Sequence, residues 1–477
     1  MLDNGFDGNI YPIHPRETSV AGVTVLRSLD EIGQPIDLGV ILLRAEACLD
    51  AAKDLASHGC RTVLIFSDGF GESNTDEGRT REAELVAWAR AEDVIVIGPN
   101  GGGVADATAS VIALGGLPAT LRKGPVSLVS QSGAMMSSLM GGMFAEGVGI
   151  DLAIALGNAS SFDLVDALET CLDRPTTGVV CAYLESLGRR VDALVNVLER
   201  LRAAGRPFLF IKPGRSELAQ EVMKSHTASV AGSDAVAAAI LRRHGAVRFE
   251  DPTELARGAR LAIDIAPLSH ERGLAVISGS GGAASLIGDL ATTHGVPLSR
   301  LSDETLKQLR ELTSETGHVG NPLDLSGRVV GVPPDAIFGL IARDPSVDAL
   351  LMPFTTSFPD DSEGRVWHRD YLELFANAGE VEGKPVLLVA LGSQSRTRWI
   401  DEFERRHAGL AVVLGLRSTM EALGALAQRD HISHQTEATE TPASSKSNTG
   451  SLPLSEAAGR ALLVEADLPV VPGIELP

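Results

Sequence analysis

Short apolar runs that end in Ser or Gly and pass straight into helical stretches recur along most of this chain. That alternation constrains the fold more than any other feature. DLGVILL (37–43), TVLIFS (62–67) and VIVIG (94–98) are strand-like, and CLDAAKDLASHG and EAELVAWARAE between them have helical periodicity. Apolar strands joined by helices predict parallel sheets with right-handed crossovers. A second unit begins near Lys123: PVSLVSQ, SGAMMSSLMGGMFAEG, DLAIALG, VDALETCLDR, GVVCAYLE (178–185), VDALVNVLERLRAAG and PFLFIKPG (207–214). A third begins near Gly273 with GLAVISG and GGAASLIGDLATTHG, then VDALLMPFT and KPVLLVALG. VSLVSQSGA and LAVISGSGGA share one design and read as two copies of a module.

A chain of 477 residues is too long for one ordinary domain, and three is the natural expectation. The low aromatic content, 4% against 44% hydrophobic residues, suits α/β units built on Ala, Val, Leu and Gly. A net charge of −21 argues against a nucleic-acid partner, so an anionic ligand must be held by local devices such as helix N-termini. Cys48, Cys60, Cys171 and Cys181 show no CxxC or CxxH spacing, which argues against a zinc site and fits a reducing cytoplasm. MLDNGFDGNIYP lacks the basic head and apolar core of a signal peptide, and no apolar run reaches membrane-spanning length. GNIYPIHP reads as the second strand of a dinucleotide-type fold, whose usual opening strand and Gly-rich turn do not precede it. From His431 to Leu452 the composition becomes that of a flexible linker, and LSEAAGRALLVEADLPVVPGIELP after it makes one helix and a short extended piece.

Six stretches carry chemistry. In KSHTASVAGSD (224–234), His226 stands among small residues that leave its ring open to a bulky anionic group such as a phosphoryl. SQSGA (130–134) joins a strand to a helix: Ser130 and Ser132 can cap the helix, Gly133 admits close approach, and Gln131 lies between them. GSGGA (279–283), with Gly279, Ser280, Gly281 and Gly282, offers the same arrangement. Glu185 ends GVVCAYLE, where a carboxylate can hold the second ring nitrogen of a histidine and fix its tautomer. GPNGGG (98–103), with Gly98, Pro99 and Asn100, suits a tight turn against a ligand. Lys212 and Arg215 in KPGRS can meet phosphate or serve as surface charge.

In order along the chain, YPIHP, DLGVILL, FSDGFGE, GPNGGGV, VSLVSQSGA, ALGNASSFDLVDALE, YLES, IKPGRS, KSHTASVAGSD, ISGSGGAASL and GNPLDLSG resemble the NDP-forming acyl-CoA synthetases, relatives of succinyl-CoA synthetase. The resemblance implies an α/β protein with a Rossmann-like CoA-binding domain at 1–122, incomplete at its first strand. Two flavodoxin-like domains follow at 123–266 and 267–430, then a linker at 431–452 and the start of an ATP-grasp domain at 453–477. It makes His226 the phosphorylated histidine, Glu185 its partner, SQSGA and GSGGA the two phosphate-cradling helix starts, and Pro15, Gly98, Pro99 and Asn100 the CoA-side residues. It implies CoA and a small carboxylic acid as substrates, and ATP/ADP or GTP/GDP with Mg²⁺ only through an ATP-grasp partner. It also implies an oligomer and no resident metal. Ala228 stands where the family has glycine after His-Thr, and Gly101 where it has cysteine; weak CoA binding is expected because the family's opening strand and glycine-rich turn, which help hold the nucleotide part of CoA, do not precede GNIYPIHP. A second reading is a non-catalytic CoA or acyl-CoA sensor or scaffold subunit.

Overall fold

Parallel sheets account for the alternation. The computed structural model describes residues 1–115, 121–226, 233–265, 267–269, 271–313, 319–326, 333–354, 369–392 and 396–437. Met1–Ser433 form one unit, to which the following description applies. Residues 453–477 lie outside the described residues.

The first sheet has three parallel strands in the order β1-β2-β3: β1 Gly39–Ile41, β2 Thr62–Ile65 and β3 Ile95–Ile97, linked by α1 Ala45–Ser57 and α2 Asp76–Ala91. Its core joins Ile41, Val63, Ile65 and Val96 to Cys48, Ala52, Leu85 and Ala89 of the two helices. The expected strand at YPIHP reduces to one bridge, Ile13 to Leu26. Pro12 and Pro15 flank Ile13 and remove the donors a ladder needs.

The second sheet is built from β4 Gly103–Asp106, β5 Val111–Leu114, β6 Lys123–Ser130, β7 Ile150–Ala155, β8 Val179–Tyr183, β9 Phe208–Ile211 and β10 Ala246–Phe249, in the order β10-β9-β8-β6-β7-β4-β5. Strands β6 to β10 are mutually parallel, and the antiparallel hairpin β4–β5 is added beyond β7. Its helices are α3 Gly133–Ala145, α4 Leu164–Asp173, α5 Val191–Ala203, α6 Glu217–His226, α7 Asp234–Arg243 and α8 Pro252–Asp264.

The third sheet runs β12-β11-β13-β14-β15, all parallel: β11 Gly273–Ser278, β12 Leu323–Asp324, β13 Val347–Phe354, β14 Val386–Ala390 and β15 Leu410–Leu414. With it go α9 Gly281–His294, α10 Asp303–Leu312, α11 Pro334–Ala342, α12 Arg369–Glu382, α13 Arg398–Arg406 and α14 Leu416–Glu437. The parallel strands of sheets two and three follow the same doubly wound order, with the second strand outside the first and the rest on its other side. The repeated module is therefore repeated in topology, and each sheet has a switch point beside its first strand, where such folds bind ligands. Helix α14 continues past His431 because no Pro or Gly interrupts the sequence before Pro442.

One apolar core joins sheets two and three. Met136, Leu139 and Met143 of α3 and Leu255, Ala256 and Ala259 of α8 cluster with Val276, Leu351, Val389 and Val413 of the third sheet. The opposite face of sheet two packs separately on α4 and α5 through Val180, Phe208, Leu168 and Leu198.

Candidate functional site

SQSGA lies at the switch point of the second sheet, between β6 and β8. Ser130 Oγ donates to the Ser132 carbonyl (2.7 Å) and accepts from the Ser132 N–H (3.1 Å), which fixes the turn into α3. Ser132 is the N-cap, accepting from Met135 N–H at 3.4 Å. The Gly133 and Ala134 N–H groups then have no protein acceptor among the described residues, and they stand at the positive end of a 13-residue helix. Gln131, expected beside the phosphate, has a different task. Its Oε1 accepts from Glu185 N–H (2.5 Å) and Ser186 N–H (2.9 Å), and its Nε2 donates to the Ser186 carbonyl (3.1 Å). The side chain straps the two strand ends across the switch point, and its backbone N–H bonds to the Tyr183 carbonyl.

Glu185 thereby has its backbone fixed beside the free end of α3. Its carboxylate acts on Tyr183, whose phenol is pushed up by burial and then by the Glu185 charge. Ser130, Tyr183, Ile211 and Phe249 are in register across four strands, so the chain leaves β9 toward α6 at the same edge. His226 is the last residue of α6; its imidazole and residues 227–232 lie outside the described residues.

Lys212 and Arg215 do not offer free charge to a phosphate. Lys212 is buried, which lowers its pKa, and its Nζ is 3.6 Å from Asp234 at the start of α7. Arg248 closes on the same Asp234 carboxylate at 2.9 and 3.1 Å. Arg215 pairs with Glu250 at the surface.

The 98–103 turn docks on this edge. A Cβ on Gly102 would lie 2.8 Å from Gly133 Cα, so only glycine lets the turn reach the start of α3. Asn158 N–H donates to the Pro99 carbonyl (3.0 Å), and Asn100 Nδ2 donates to Asn158 Oδ1 (3.3 Å). Asn158 Nδ2 then donates to Glu72 (2.5 Å) and Glu82 (2.7 Å). Glu72 also accepts from the N–H groups of Gly69 and Phe70, and Glu82 from that of Gly71. Gly98, Pro99 and Asn100 are thus brought to the SQSGA turn through Gly102 and Asn158. Pro15 sits in an exposed turn closed by His14 Nδ1, which accepts from Arg16 and Glu17 N–H, and no hydrogen bond among the described residues ties it to residues 98–100.

GSGGA repeats the SQSGA geometry. Ser278 Oγ donates to the Ser280 carbonyl (2.8 Å) and accepts from its N–H (3.1 Å), while Ser280 caps α9 by accepting from Ala283 N–H (3.3 Å). Gly279 and Gly282 are open on their Cβ sides, but a Cβ on Gly281 would lie 2.6 Å from Asp324 Oδ2. A carboxylate already stands against this helix start, so the two junctions are not equivalent anion sites, as the sequence pattern alone suggests. Among the described residues, no group of three His, Cys, Asp or Glu could hold a metal ion, and no helix is long and apolar enough to cross a membrane.

Residues 123–262 match the succinyl-CoA ligase-like flavodoxin domain, and residues 1–106 match a CoA-binding domain. The alpha subunit of acetate–CoA ligase (ADP-forming) I from Pyrococcus furiosus is 32% identical over 337 residues, 69% of this chain and 71% of that protein. The chain belongs to the ADP-forming acyl-CoA ligase family. Another member, trans-feruloyl-CoA synthase from an unknown prokaryotic organism, is 30% identical over 331 residues, 68% of this chain; the match spans less than half, 46%, of that relative's length. The fold is that of the dinucleotide-forming acetyl-coenzyme A synthetase 1 from Ca. Korarchaeum cryptofilum, solved with phosphate and ADP: TM-score 0.80, 24% identity, covering 92% of this chain and 93% of that one.

As a member of this ligase family the chain has the expected α/β architecture, a CoA-binding domain ahead of flavodoxin-like sheets. Glu72, Glu82, Asn158 and Asp324 were not singled out from sequence. Glu72, Asn158 and Asp324 lie in stretches that carry the family resemblance and Glu82 lies outside them, but their partners are distant: Asn158 and Glu72 are 86 residues apart.

Proposed function

We propose that this chain carries the phosphohistidine half of an acyl-CoA synthetase that interconverts acyl-CoA, phosphate and NDP with carboxylate, CoA and NTP. The observation that carries this reading is the free amino end of α3, held at a switch point beside Glu185 and packed on the 98–103 turn. Phosphate oxygen attacks the thioester carbonyl, and the thiolate of CoA leaves with a proton, giving an acyl phosphate. A ring nitrogen of His226 takes the phosphoryl group and releases the carboxylate. NDP then removes the phosphoryl group as NTP and restores the imidazole. The Gly133 and Ala134 N–H groups and the helix dipole stabilise charge on the transferring phosphoryl group. Glu185 accepts a hydrogen bond from the other ring nitrogen and raises the nucleophilicity of the imidazole. The GSGGA junction serves as a second cradle only when the charge of Asp324 is offset.

The turn at Gly98, Pro99 and Asn100, with Pro15, is the CoA-side surface. The nucleotide and its Mg²⁺ belong to an ATP-grasp domain or subunit. The name of the Pyrococcus relative, an alpha subunit, supports such a division. Four free buried cysteines support a reducing, cytoplasmic setting.

The test is phosphorylation of the chain by acetyl phosphate, or by NTP with an ATP-grasp partner. An acid-labile, base-stable phosphoryl group is expected, and His226→Ala is expected to remove it. Labelling that survives His226→Ala overturns the assignment.

A further inference from the structure

Asn158 belongs to the flavodoxin-like domain, yet its side chain bonds to residues of the CoA-binding domain. It stands in the loop from β7 to α4. Its Nδ2 donates to Glu72 Oε2 at 2.5 Å and to Glu82 Oε2 at 2.7 Å, and its Oδ1 accepts from Asn100 Nδ2 at 3.3 Å. Its backbone N–H donates to the Pro99 carbonyl. One residue thus ties the 69–72 segment after β2, helix α2 and the 98–103 turn after β3 to the end of β7.

The chemistry of this contact admits few residues. Glu72 and Glu82, both half-buried, accept together from the N–H groups of Gly69, Phe70 and Gly71 and from both amide hydrogens of Asn158. Arg81, beside Glu82 in sequence, is turned instead to Glu46 and the Gly69 carbonyl. Carboxylates that lose donors in such a place are costly. Aspartate at 158 would bring a third carboxylate, and leucine, of similar shape, would leave both glutamates short of a donor. The backbone is bent to make the reach. Gly157 has φ +60°, where a Cβ would lie 2.3 Å from the Pro99 carbonyl oxygen, and Ala159 is held in the left-handed region at φ 51°.

A contact that only bolted two domains together could sit anywhere along their seam. This one sits at the carboxyl ends of strands of both sheets, where such folds bind ligands, and it holds the turn whose Gly102 meets the start of α3. We propose that Asn158 is a positioning residue for the thioester step. By clamping the 98–103 turn to Glu72 and Glu82, it sets where CoA meets the acyl phosphate at the helix start of α3. The inference rests on the proposed reading of that turn as the CoA side. In the step concerned, written toward thioester, the CoA sulfur attacks the acyl carbonyl. The C–O bond to phosphate breaks with its electron pair on phosphate, which takes up the thiol proton.

The whole chain given acetyl phosphate and CoA tests it. The quantity read is kcat/KM for CoA in acetyl-CoA formation, beside His226 labelling by acetyl phosphate without CoA and the melting temperature. Asn158→Leu is expected to lower kcat/KM for CoA at least about tenfold, the loss of a charge-assisted hydrogen bond, while labelling stays within about twofold because Asn158 bonds to neither Gly133 nor Ala134. Glu72→Gln lowers the same constant, and the double variant is no worse than Asn158→Leu alone, because both act through one contact. Additive losses, or an unchanged kcat/KM for CoA in Asn158→Leu, overturn the inference and leave the proposed reaction intact. Equal losses of labelling and of thioester formation, with a lower melting temperature, reduce Asn158 to a fold contact and also overturn it. A parent chain that labels at His226 but makes no acetyl-CoA overturns the inference together with the CoA-side reading.

Discussion

Glu185 shows how one side chain's amide can fix the backbone beneath a carboxylate. Gln131 takes up the N–H groups of Glu185 and Ser186, so the carboxylate projects from a fixed backbone, while the neighbouring Tyr183 phenol is held protonated by burial and by that negative charge. Glu185→Gln keeps the shape and removes the charge. The rate of His226 phosphorylation is expected to fall on the order of 10²-fold, the lower range for a positioned acid–base group. CoA affinity should be nearly unchanged, because the 98–103 turn, the proposed CoA-side surface, reaches this edge through Gly102 and Asn158. Titration calorimetry beside rapid-quench labelling separates the two effects; lost CoA affinity with normal labelling reverses the roles.

At the scale of elements, the close approach of the 98–103 turn to α3 rests on one missing side chain. In Gly102→Ala the new Cβ would meet Gly133 Cα and Ala155 Cβ, each at 2.8 Å, and backbone must move. Both CoA binding and phosphoryl transfer are expected to weaken together, which the same pair of assays reads; an effect on only one would show that turn and helix are not coupled. A second element junction makes a pH prediction. Asp344 joins the N-cap of α10 to the start of β13, accepting from Ser302 N–H (2.8 Å) and Ser346 N–H (2.9 Å). Burial pushes its pKa up, but these bonds and the hydroxyls of Ser346 and Thr305 outweigh that and hold it at about 2. A depressed carboxylate pKa contributes stability that is full above the unfolded value near 4 and is lost as pH falls toward about 2. Asp344→Asn should therefore cost about 2 kcal/mol at pH 7 in denaturant melts, and the gap to the parent should narrow between about pH 4 and pH 2. A gap independent of pH would sink this account. The parallel strands β1–β3, β6–β9, β11, β13 and β14 were legible because strands buried on both faces are apolar runs. The β4–β5 hairpin was not, since GVAD alternates polarity and gains its place only by pairing with β7. SQSGA was legible as a local strand–helix junction. The Asp324 carboxylate against Gly281 was not, because only the fold brings them together.

Across the whole molecule, sheets two and three, which the sequence reads as two domains, share one apolar core. The core shared by α3, α8 and the third sheet is continuous, and the first sheet, besides its own cluster with α1 and α2, sends Leu64 and Ile97 into the core on the other face of sheet two. Helix α8 also sends charge across the seam: Arg260 reaches Glu404 of α13 at 2.9 Å, with both side chains only 10% exposed, and Glu404 is held further by Arg396. Calorimetric melting should therefore show one transition for the two flavodoxin-like units. Arg260→Ala tests what the seam contributes. Removing one partner leaves a buried carboxylate with part of its compensation gone, a loss of about 3 kcal/mol at the low end for broken buried pairs because Arg396 remains. Arg215→Ala provides the contrast: it breaks an arginine–carboxylate pair whose side chains are 55% and 56% exposed, and exposed pairs contribute under about 1 kcal/mol. The expected outcome is a clear fall in melting temperature for Arg260→Ala with the transition still single, and almost none for Arg215→Ala. Two resolved transitions in the parent protein would show that the continuous core does not couple the sheets. Equal effects of the two substitutions would show that the seam pair gains nothing from its burial.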